Sequence, residues 1–525
     1  MKNKILHISI LSICILSSLQ LYTSCISNDI PYPVIPIRIL SLEVEGGSTT
    51  IDNNTRTVTL NMDETVDLRK VTITQCTVTE GIEAPIAPGT VLDLSTPLTY
   101  TLSLYQDYEW TVQAVQNIER LFSVEKQMGK AVFNTQTHQV LAYISRSSDI
   151  RTVKVKKLKL GPADITEINE TQVADVTDFT LPKTVTITYH GDIKETWTVM
   201  VSRSDKNVVT NEADAWVNVA WLHGNGEDGA DNGFEIRESS QTEWTKVSKE
   251  NITESEGTLT ACVSGLKATT SYTFRAYSGD EYGDEMTFTT TSAVELPDGS
   301  FDNWHQEGKI WNPWAIDTTP IWDSGNDGAT TLGDSNTQPT GDTWNGKGQA
   351  ARLESKFVGV GSIGKFAAGN LFIGTYKETD GSNGILDFGK PFTARPTKLR
   401  GHYKYTTAPI AYVSSGYEHL KEKPDTCAIY VALGDWPEPV EIRTNPSNLA
   451  VFNKNDSHVI AYAEFYSGET TTEYKSFELT LDYRDTGRIP TYLILVCSAS
   501  KFGDYFVGGP GSILYVDDFS FEYDY

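Results

Sequence analysis

From Ile37 to the end of the chain, apolar and polar residues alternate in short runs, and no long stretch repeats with the period of a helix. The runs are rich in Val, Thr, Tyr and Ile, and clusters of Gly, Asn, Asp and Pro separate them. A period of two places successive side chains on opposite faces of a strand. The pattern therefore predicts an all-β protein, and a chain of 525 residues needs several separate cores.

The N-terminal segment has the features of an export signal. Two lysines precede an apolar run over residues 5–21, which is short for a membrane span, and small residues then lead into Cys25. This arrangement resembles the lipobox of bacterial lipoproteins, in which the cysteine is lipidated and becomes the mature N-terminus. An ordinary signal peptide without lipidation is the alternative. Residues 1–24 are predicted to be the signal peptide, and residues 25–37 a proline-rich tether.

The charge of the chain limits its partners. It carries 43 Lys and Arg against 69 Asp and Glu, a formal net charge of −26. A field of this sign repels phosphate groups, so neither nucleic acid nor an anionic membrane surface is an expected partner. The sequence also lacks phosphate-binding glycine loops and the paired-cysteine and His-Glu-Xaa-Xaa-His motifs of metal sites. Membrane contact is therefore predicted through the lipid anchor alone.

An internal repeat organises the first part of the chain. Segments 51–55 and 67–73 recur 82 residues later, and each copy then ends on a Trp-Thr-Val strand that contains Trp110 or Trp197. Modules of this size resemble tandem immunoglobulin-like sandwiches. Both tryptophans alternate with polar neighbours, so we expect them in the cores. The predicted modules are residues 38–117 and 118–207.

A third module is predicted over residues 208–292. Its Gly265-to-Ala276 stretch, with Leu266 before a turn and Tyr272 after it, resembles the fibronectin type III signature. The resemblance implies that the hydroxyl of Tyr272 forms a hydrogen bond with the backbone of the turn. Both residues would then have structural roles.

The last segment, residues 293–525, contains about ten strand patterns, which suits a two-sheet β-jelly roll. Its Phe-Asp-Asn-Trp opening, the Trp-Asn-Pro-Trp stretch at 311–314 and the Val-Asp-Asp-Phe ending resemble the putative carbohydrate metabolism domain (PCMD) family. That family occurs on multidomain lipoproteins of polysaccharide-degrading Gram-negative bacteria. The resemblance implies a carbohydrate-related function at the bacterial outer membrane, on its cell surface or periplasmic face, and leaves the reaction open.

Five of the 11 tryptophans lie between residues 304 and 344, among Gly, Asn, Asp, Pro and Thr. Sugar rings stack on indoles, and their hydroxyls need Asp, Asn or Gln partners, so this region is a candidate carbohydrate-binding site. The alternative is that the indoles fill the core beneath irregular loops. The predicted site residues are Trp311, Trp314, Trp322 and Trp344.

A basic row lies on one strand of the same segment, formed by Lys398, Arg400, His402 and Lys404. Such a row in an acidic protein could bind uronic or sulfated sugars. The solvated outer face of a sandwich strand is the interpretation that the pattern favours.

A structural calcium ion is predicted where the two ends of the jelly roll meet. Asp302 lies in the opening strand and the adjacent Asp517 and Asp518 in the closing strand, where alternation turns one of them toward the core unless a bulge intervenes. Calcium accepts carboxylate and carbonyl oxygens, and related carbohydrate-binding jelly rolls carry such an ion. An aspartate that accepts backbone N–H groups or pairs with a distant Arg is the alternative.

Four cysteines follow Cys25, and their sparse spacing indicates buried free thiols; whether Cys427 and Cys497 form a bridge stays open.

The leading function is a surface lipoprotein that binds polysaccharide or glycoconjugate, with the three sandwiches as a spacer and other outer-membrane uptake proteins as further partners. A glycoside hydrolase on the same jelly roll is the first alternative, although no pair of carboxylates identifies catalytic residues. An adhesin or structural surface protein is the second.

Overall fold

The computed structural model describes residues 37–525 except residues 54, 80, 105, 169–176, 361–362 and 447. The predicted signal peptide, Cys25 and the tether up to residue 36 lie outside the described residues. Within the described part, no helix has the length and apolar character needed to cross a membrane. The same part consists of β-strands with a single short α-helix, α1 (Asn326–Thr330). The predicted all-β class is confirmed.

The first sandwich contains seven strands, β1 (Ile39–Val44), β2 (Gly47–Asp52), β3 (Thr57–Met62), β4 (Val71–Val78), β5 (Val91–Leu92), β6 (Leu98–Ser103) and β7 (Asp107–Gln116). They form the sheets β1-β4-β5 and β2-β3-β7-β6. Trp110 lies fully buried between the sheets, and its indole N–H donates to the carbonyl of Ile37. It is therefore a core residue, as the alternation predicts.

The described residues of the second sandwich also form seven strands, β8 (Leu121–Val124), β9 (Val132–Asn134), β10 (Gln139–Ile144), β11 (Val155–Lys159), β12 (Glu167–Ile168), β13 (Lys183–Tyr189) and β14 (Ile193–Arg203). Trp197 is buried in its core. In both sandwiches the strand that contains Trp-Thr-Val pairs in parallel with an earlier strand, β7 with β3 and β14 with β10. The sequence repeat is therefore a repeat of structure.

The third sandwich contains ten strands, β15 (Val209–Thr210), β16 (Asp214–Ala215), β17 (Val219–Asn225), β18 (Asn232–Glu238), β19 (Thr245–Lys246), β20 (Ile252–Ser255), β21 (Thr258–Ser264), β22 (Ser271–Ser278), β23 (Glu281–Tyr282) and β24 (Met286–Thr289). The hydroxyl of Tyr272 accepts a hydrogen bond of 2.9 Å from the backbone N–H of Lys267. This is the bond that the fibronectin resemblance implies, and it fixes β22 against the preceding turn.

The C-terminal strands are β25 (His305–Glu307), β26 (Ile310–Asn312), β27 (Trp322–Asp323), β28 (Thr337–Thr340), β29 (Ala350–Glu354), β30 (Lys356–Val360), β31 (Ile363–Ala367), β32 (Asn370–Asp380), β33 (Asn383–Phe388), β34 (Lys390–Pro391), β35 (Lys398–Thr406), β36 (Cys427–Gly434), β37 (Val440–Arg443), β38 (Val459–Ser467), β39 (Lys475–Thr480), β40 (Asp482–Tyr483), β41 (Tyr492–Ser498) and β42 (Ile513–Glu522). Most of them form two facing sheets. The larger follows the order β37-β33-β32-β41-β36-β38-β40, and the smaller follows β28-β29-β42-β35-β39. The predicted two-sheet sandwich is confirmed, whereas the limits of the individual domains stay predictions.

The two C-terminal sheets enclose the main core, which includes Leu353, Leu399, Ile429 and Leu495. The larger sheet also carries an apolar cluster on its other face, around Phe372 and other aromatic side chains. Because both faces of this sheet are covered, strands such as β36 and β41 are almost continuously apolar. Cys427 and Cys497 lie in these two strands as free thiols, without a bridge.

The third sandwich and the C-terminal sandwich meet at an aromatic contact centred on Trp216. Its ring lies 4.3 Å from that of Tyr483, and its indole N–H donates to the carbonyl of Thr486 at 3.0 Å. The guanidinium of Arg395 lies over the same indole and donates to the carbonyl of Ala215. Trp216 is buried, so the two sandwiches share one packed and hydrogen-bonded contact.

Candidate functional site

Trp344 lies in the loop that joins β28 to β29, at the outer face of the smaller sheet. Its backbone N–H donates to Oδ2 of Asp517 at 2.8 Å, and its indole N–H donates to Oδ2 of Asp518 at 2.9 Å. Both aspartates belong to β42, the strand next to β29. Two bonds to carboxylate acceptors therefore fix the loop and the ring of Trp344 to the sheet.

The indole also stacks on His402 of β35. The ring centroids are 3.8 Å apart and the planes are inclined by 4°, so one face of the indole is covered by the imidazole. Trp344 nevertheless remains 45% exposed. Since one face is occupied, the exposure belongs largely to the other face. The result is a flat aromatic surface, open to solvent and held rigidly from below.

A β-bulge explains how two adjacent aspartates both reach Trp344. On β35, Arg400 faces Ser520 and His402 faces Asp517, so two residues of β42 lie opposite Gly401. Asp518 is one of these two, and its φ of +55° is the left-handed conformation found in G1-type bulges. The bulge reverses the alternation along β42, and neither Asp517 nor Asp518 has to enter the core between the sheets.

The electrostatics beneath the indole follow from this packing. Asp517 is 4% exposed, and burial, together with the charges of Asp518 and Asp302, raises its pKa to about 6. Burial lowers the pKa of His402, and the nearby Asp518 opposes that shift only in part. At neutral pH the ring under Trp344 is therefore a neutral imidazole, and the surface has no cation of its own below the indole.

Polar side chains of β35, of the loop before Trp344 and of the segment before β39 contact one another. Lys404, two residues after His402 on the same face of β35, forms an ion pair with Asp342. The Tyr474 hydroxyl donates to the Asp342 carbonyl at 2.6 Å, and the Lys404 ammonium lies 4.4 Å from the ring centroid of Tyr515. Asp342, Lys404 and Tyr474 are therefore engaged with one another.

The other three predicted tryptophans have different positions. Trp322 is 1% exposed, and its indole N–H donates to the carbonyl of Pro297, so it is a core residue and its assignment to the site was wrong. Trp322 is buried because β27, the strand that contains it, pairs with β32 inside the sandwich. Trp311 and Trp314 are half-buried. In the described residues, no hydrogen bond or ring contact connects either of them to Trp344.

The basic row is neutralised. Lys398 and Arg400 both form ion pairs with Glu478 and Glu522 on the neighbouring strands, and Lys404 pairs with Asp342. A row whose charges already have partners offers little to an anionic sugar. The basic row is therefore the outer face of a sandwich strand, the interpretation that the sequence pattern favours.

The three aspartates proposed for calcium each accept a hydrogen bond. Asp302 accepts from the backbone N–H of Gln349 at 2.7 Å, and Asp517 and Asp518 accept from Trp344. Within the described residues, no group of three or more His, Cys, Asp and Glu side chains is placed to hold a metal ion. Aspartates that accept hydrogen bonds from the protein are the alternative to a calcium ion. Calcium at this site stays a prediction.

Two protein-family models match parts of the chain. Residues 300–522 match the family model described as "Putative carbohydrate metabolism domain", and residues 39–114 match the model described as "SGBP, N-terminal". The resemblance derived from the terminal motifs of the last segment is thereby confirmed. Among curated proteins, no sequence matches the chain significantly.

Three solved structures are similar to parts of the chain. A putative glycoside hydrolase from Bacteroides vulgatus is 26% identical in sequence. The match covers 42% of this chain and 96% of that protein, with a TM-score of 0.34. A putative glycoside hydrolase from Bacteroides thetaiotaomicron is 19% identical, and the match covers 78% of this chain and 98% of that protein with a TM-score of 0.31. The surface glycan-binding protein PbSGBP-B from Prevotella bryantii is 10% identical, and the match covers 76% of this chain and 90% of that protein with a TM-score of 0.20.

Proposed function

We propose that this protein binds glycan at the bacterial cell surface and that the exposed face of Trp344 is its sugar-stacking surface. The observation that carries the proposal is that the indole is fixed by Asp517, Asp518 and His402 while 45% of the residue stays exposed. A side chain that is already immobilised loses little entropy when a ligand binds. The carbohydrate-related family models that match both ends of the described chain support the same function.

Binding is favoured over hydrolysis because Asp517 and Asp518, the carboxylates that contact Trp344, accept hydrogen bonds from it. A glycosidase needs two carboxyl groups on opposite sides of the scissile bond, one of them able to donate a proton. Asp517 has the raised pKa of an acid, but it lies buried beneath the indole and accepts the backbone N–H of Trp344. Asp518 accepts the indole N–H at the edge of the ring. Both carboxylates therefore position the indole.

The binding function is tested with the full-length chain and a panel of polysaccharides. We expect retarded migration in gels that contain the recognised glycan, and no new reducing ends after prolonged incubation. New reducing ends would identify the hydrolase alternative. Unchanged migration in every gel, with no cleavage, would contradict glycan binding and favour the adhesin alternative.

Anchoring is a separate part of the proposal. Cys25 would carry the lipid, the three N-terminal sandwiches would serve as a spacer, and outer-membrane uptake proteins would be further partners. We expect Cys25→Ser to release the protein from washed membranes, because a single lipidated cysteine is the anchor that the sequence predicts. Labelling with a radioactive fatty acid should fail in the same variant, whereas Cys262→Ser serves as the matched control. Retention of the Cys25→Ser protein in membranes would contradict the lipobox.

A further inference from the structure

A cavity of about 190 Å³ lies on the outer face of the larger C-terminal sheet, away from Trp344 on the smaller sheet. Its floor is formed by side chains of that sheet, among them Phe372, Phe388 and Val496. The hairpin of β30 and β31, helix α1 and the turn that contains Asp504 supply its walls. A cavity that holds benzene measures about 150 Å³, so this one accommodates a single six-membered ring with substituents and is too small for an oligosaccharide.

The lining combines flat apolar surfaces with hydrogen-bonding groups. Tyr376, Tyr430 and Phe506 provide aromatic rings, and Asn383 and Lys365 provide an amide and an ammonium joined by a hydrogen bond of 2.7 Å. An apolar wall with a few placed polar groups is the general character of a small-molecule site. A sugar ring has the matching surface, with C–H faces for the aromatic rings and hydroxyls at its edge.

Asp504 is the one carboxylate among the described residues that line the cavity. It forms no hydrogen bond and no ion pair with any described residue, although it lies near the hydroxyls of Tyr430 and Tyr505. Asp504 is half-buried, and its partial removal from water raises its pKa to about 6. A carboxylate without a partner costs stability when it is ionised, and such a cost is typical of groups whose partner is a ligand.

The turn that carries Asp504 is also strained. Phe506, two residues later, has a φ of +57°, a left-handed conformation that a bulky aromatic residue rarely adopts. Its ring borders the cavity and lies 4.5 Å from the ammonium of Lys365. Backbone strain of this kind is concentrated at binding sites, where the surrounding structure holds a side chain in a required position.

We propose that this cavity binds a single neutral pyranose ring, as a free monosaccharide or as the terminal unit of a chain, with Asp504 accepting hydrogen bonds from its hydroxyls. The choice of a sugar as ligand rests on the proposed glycan function. Two ammonium groups also line the cavity, but Lys365 is engaged by Asn383 and Phe506, and Lys501 lies over the ring of Tyr466. A neutral ring is favoured over a uronic acid because the carboxylate of Asp504, which has no such partner among the described residues, would repel a second one. The site is separate from Trp344, since the two lie on different sheets.

The proposal is tested with four probes, the methyl pyranosides of glucose, galactose, mannose and xylose, using saturation-transfer NMR and calorimetry on the full chain. We expect at least one to bind with a Kd on the order of 1 mM, as ligands of this size allow. Asp504→Asn should weaken that binding about tenfold or more. Asp482→Asn, an exposed aspartate on β40 of the same sheet, should leave it unchanged.

The same variant has a stability readout that confirms its folding. Because the raised pKa of Asp504 makes its ionised form unfavourable in the native state, the cost is fully present above pH 6 and disappears as the pH falls toward the ordinary pKa of an aspartate. Asp504→Asn should therefore melt at a higher temperature than the wild type at pH 7 and at the same temperature near pH 4. The nearby tyrosines and Lys365 do not change charge in this range.

The outcomes separate this inference from the proposed function. Failure of all four probes to bind, or equal binding by the wild type and Asp504→Asn, would overturn the cavity site. If polysaccharide retention in gels still depends on Trp344 in that case, the proposed function stands. If a probe binds through Asp504 but retention is independent of Trp344, the cavity site stands and the Trp344 surface is wrong.

Discussion

Trp216→Ala is expected to reduce the free energy of unfolding by about 3–5 kcal/mol, the cost typical of truncating a fully packed tryptophan. The indole is buried between two sandwiches, where it contacts Tyr483 and lies under Arg395. The variant also removes the donor to the Thr486 carbonyl and leaves that carbonyl without its partner. Because the lost contacts connect the third sandwich to the C-terminal sandwich, their relative motion should increase as well.

Two measurements test this expectation. Denaturant unfolding should shift to lower concentration, and limited proteolysis should cleave the variant between β24 and β25 faster than the wild type. Tyr282→Ala is the matched control, since Tyr282 is an exposed aromatic residue of the same sandwich. Unchanged unfolding and proteolysis in Trp216→Ala would contradict a packed contact between the two sandwiches.

The architecture follows from local patterns that the sequence displays. Alternation predicted an all-β chain, and the described residues are built of β-strands. The repeat predicted two sandwiches of one design, and the Leu266–Tyr272 spacing predicted a hydrogen bond that is present. These features depend on neighbouring residues, so a single sequence contains enough information to predict them.

The candidate site depends on contacts between distant segments, and the sequence predicted only part of it. Trp344 and Asp518 were both singled out, but for different purposes, and nothing in the sequence joins two residues so far apart. His402 was assigned to a basic row, whereas its position under the indole depends on the pairing of β35 with β42. Strict alternation cannot locate an inserted residue, so the sequence does not predict the position of the bulge at Asp518.

The cavity was missed for a different physical reason. The sheet beneath it is covered on both faces, so its strands are uniformly apolar and alternation no longer tells which side chains face the outside. Asp504 lies in a turn that is distant in sequence from the tryptophan-rich region. A lone aspartate in a turn has a structural explanation in most sequences, and only the fold shows that this one has no partner among the described residues.

Trp344→Ala should weaken binding to the recognised polysaccharide by about 1–3 kcal/mol, the cost of removing a stacking aromatic anchor. Trp344→Phe should lose less, because a smaller ring can still stack while the hydrogen bond to Asp518 is absent. Trp244→Ala is the control, since Trp244 is a half-buried tryptophan of the third sandwich that lies against Arg237 and Arg275.

The most direct test of the glycan-binding proposal is the dissociation constant of Trp344→Ala for that polysaccharide, measured by affinity electrophoresis beside the wild type and Trp244→Ala. Circular dichroism and melting of each variant establish that the fold is retained. We predict a dissociation constant about 5- to 150-fold higher for Trp344→Ala and an unchanged constant for the control. A folded Trp344→Ala protein that binds as tightly as the wild type would contradict the assignment of the sugar-stacking surface to Trp344.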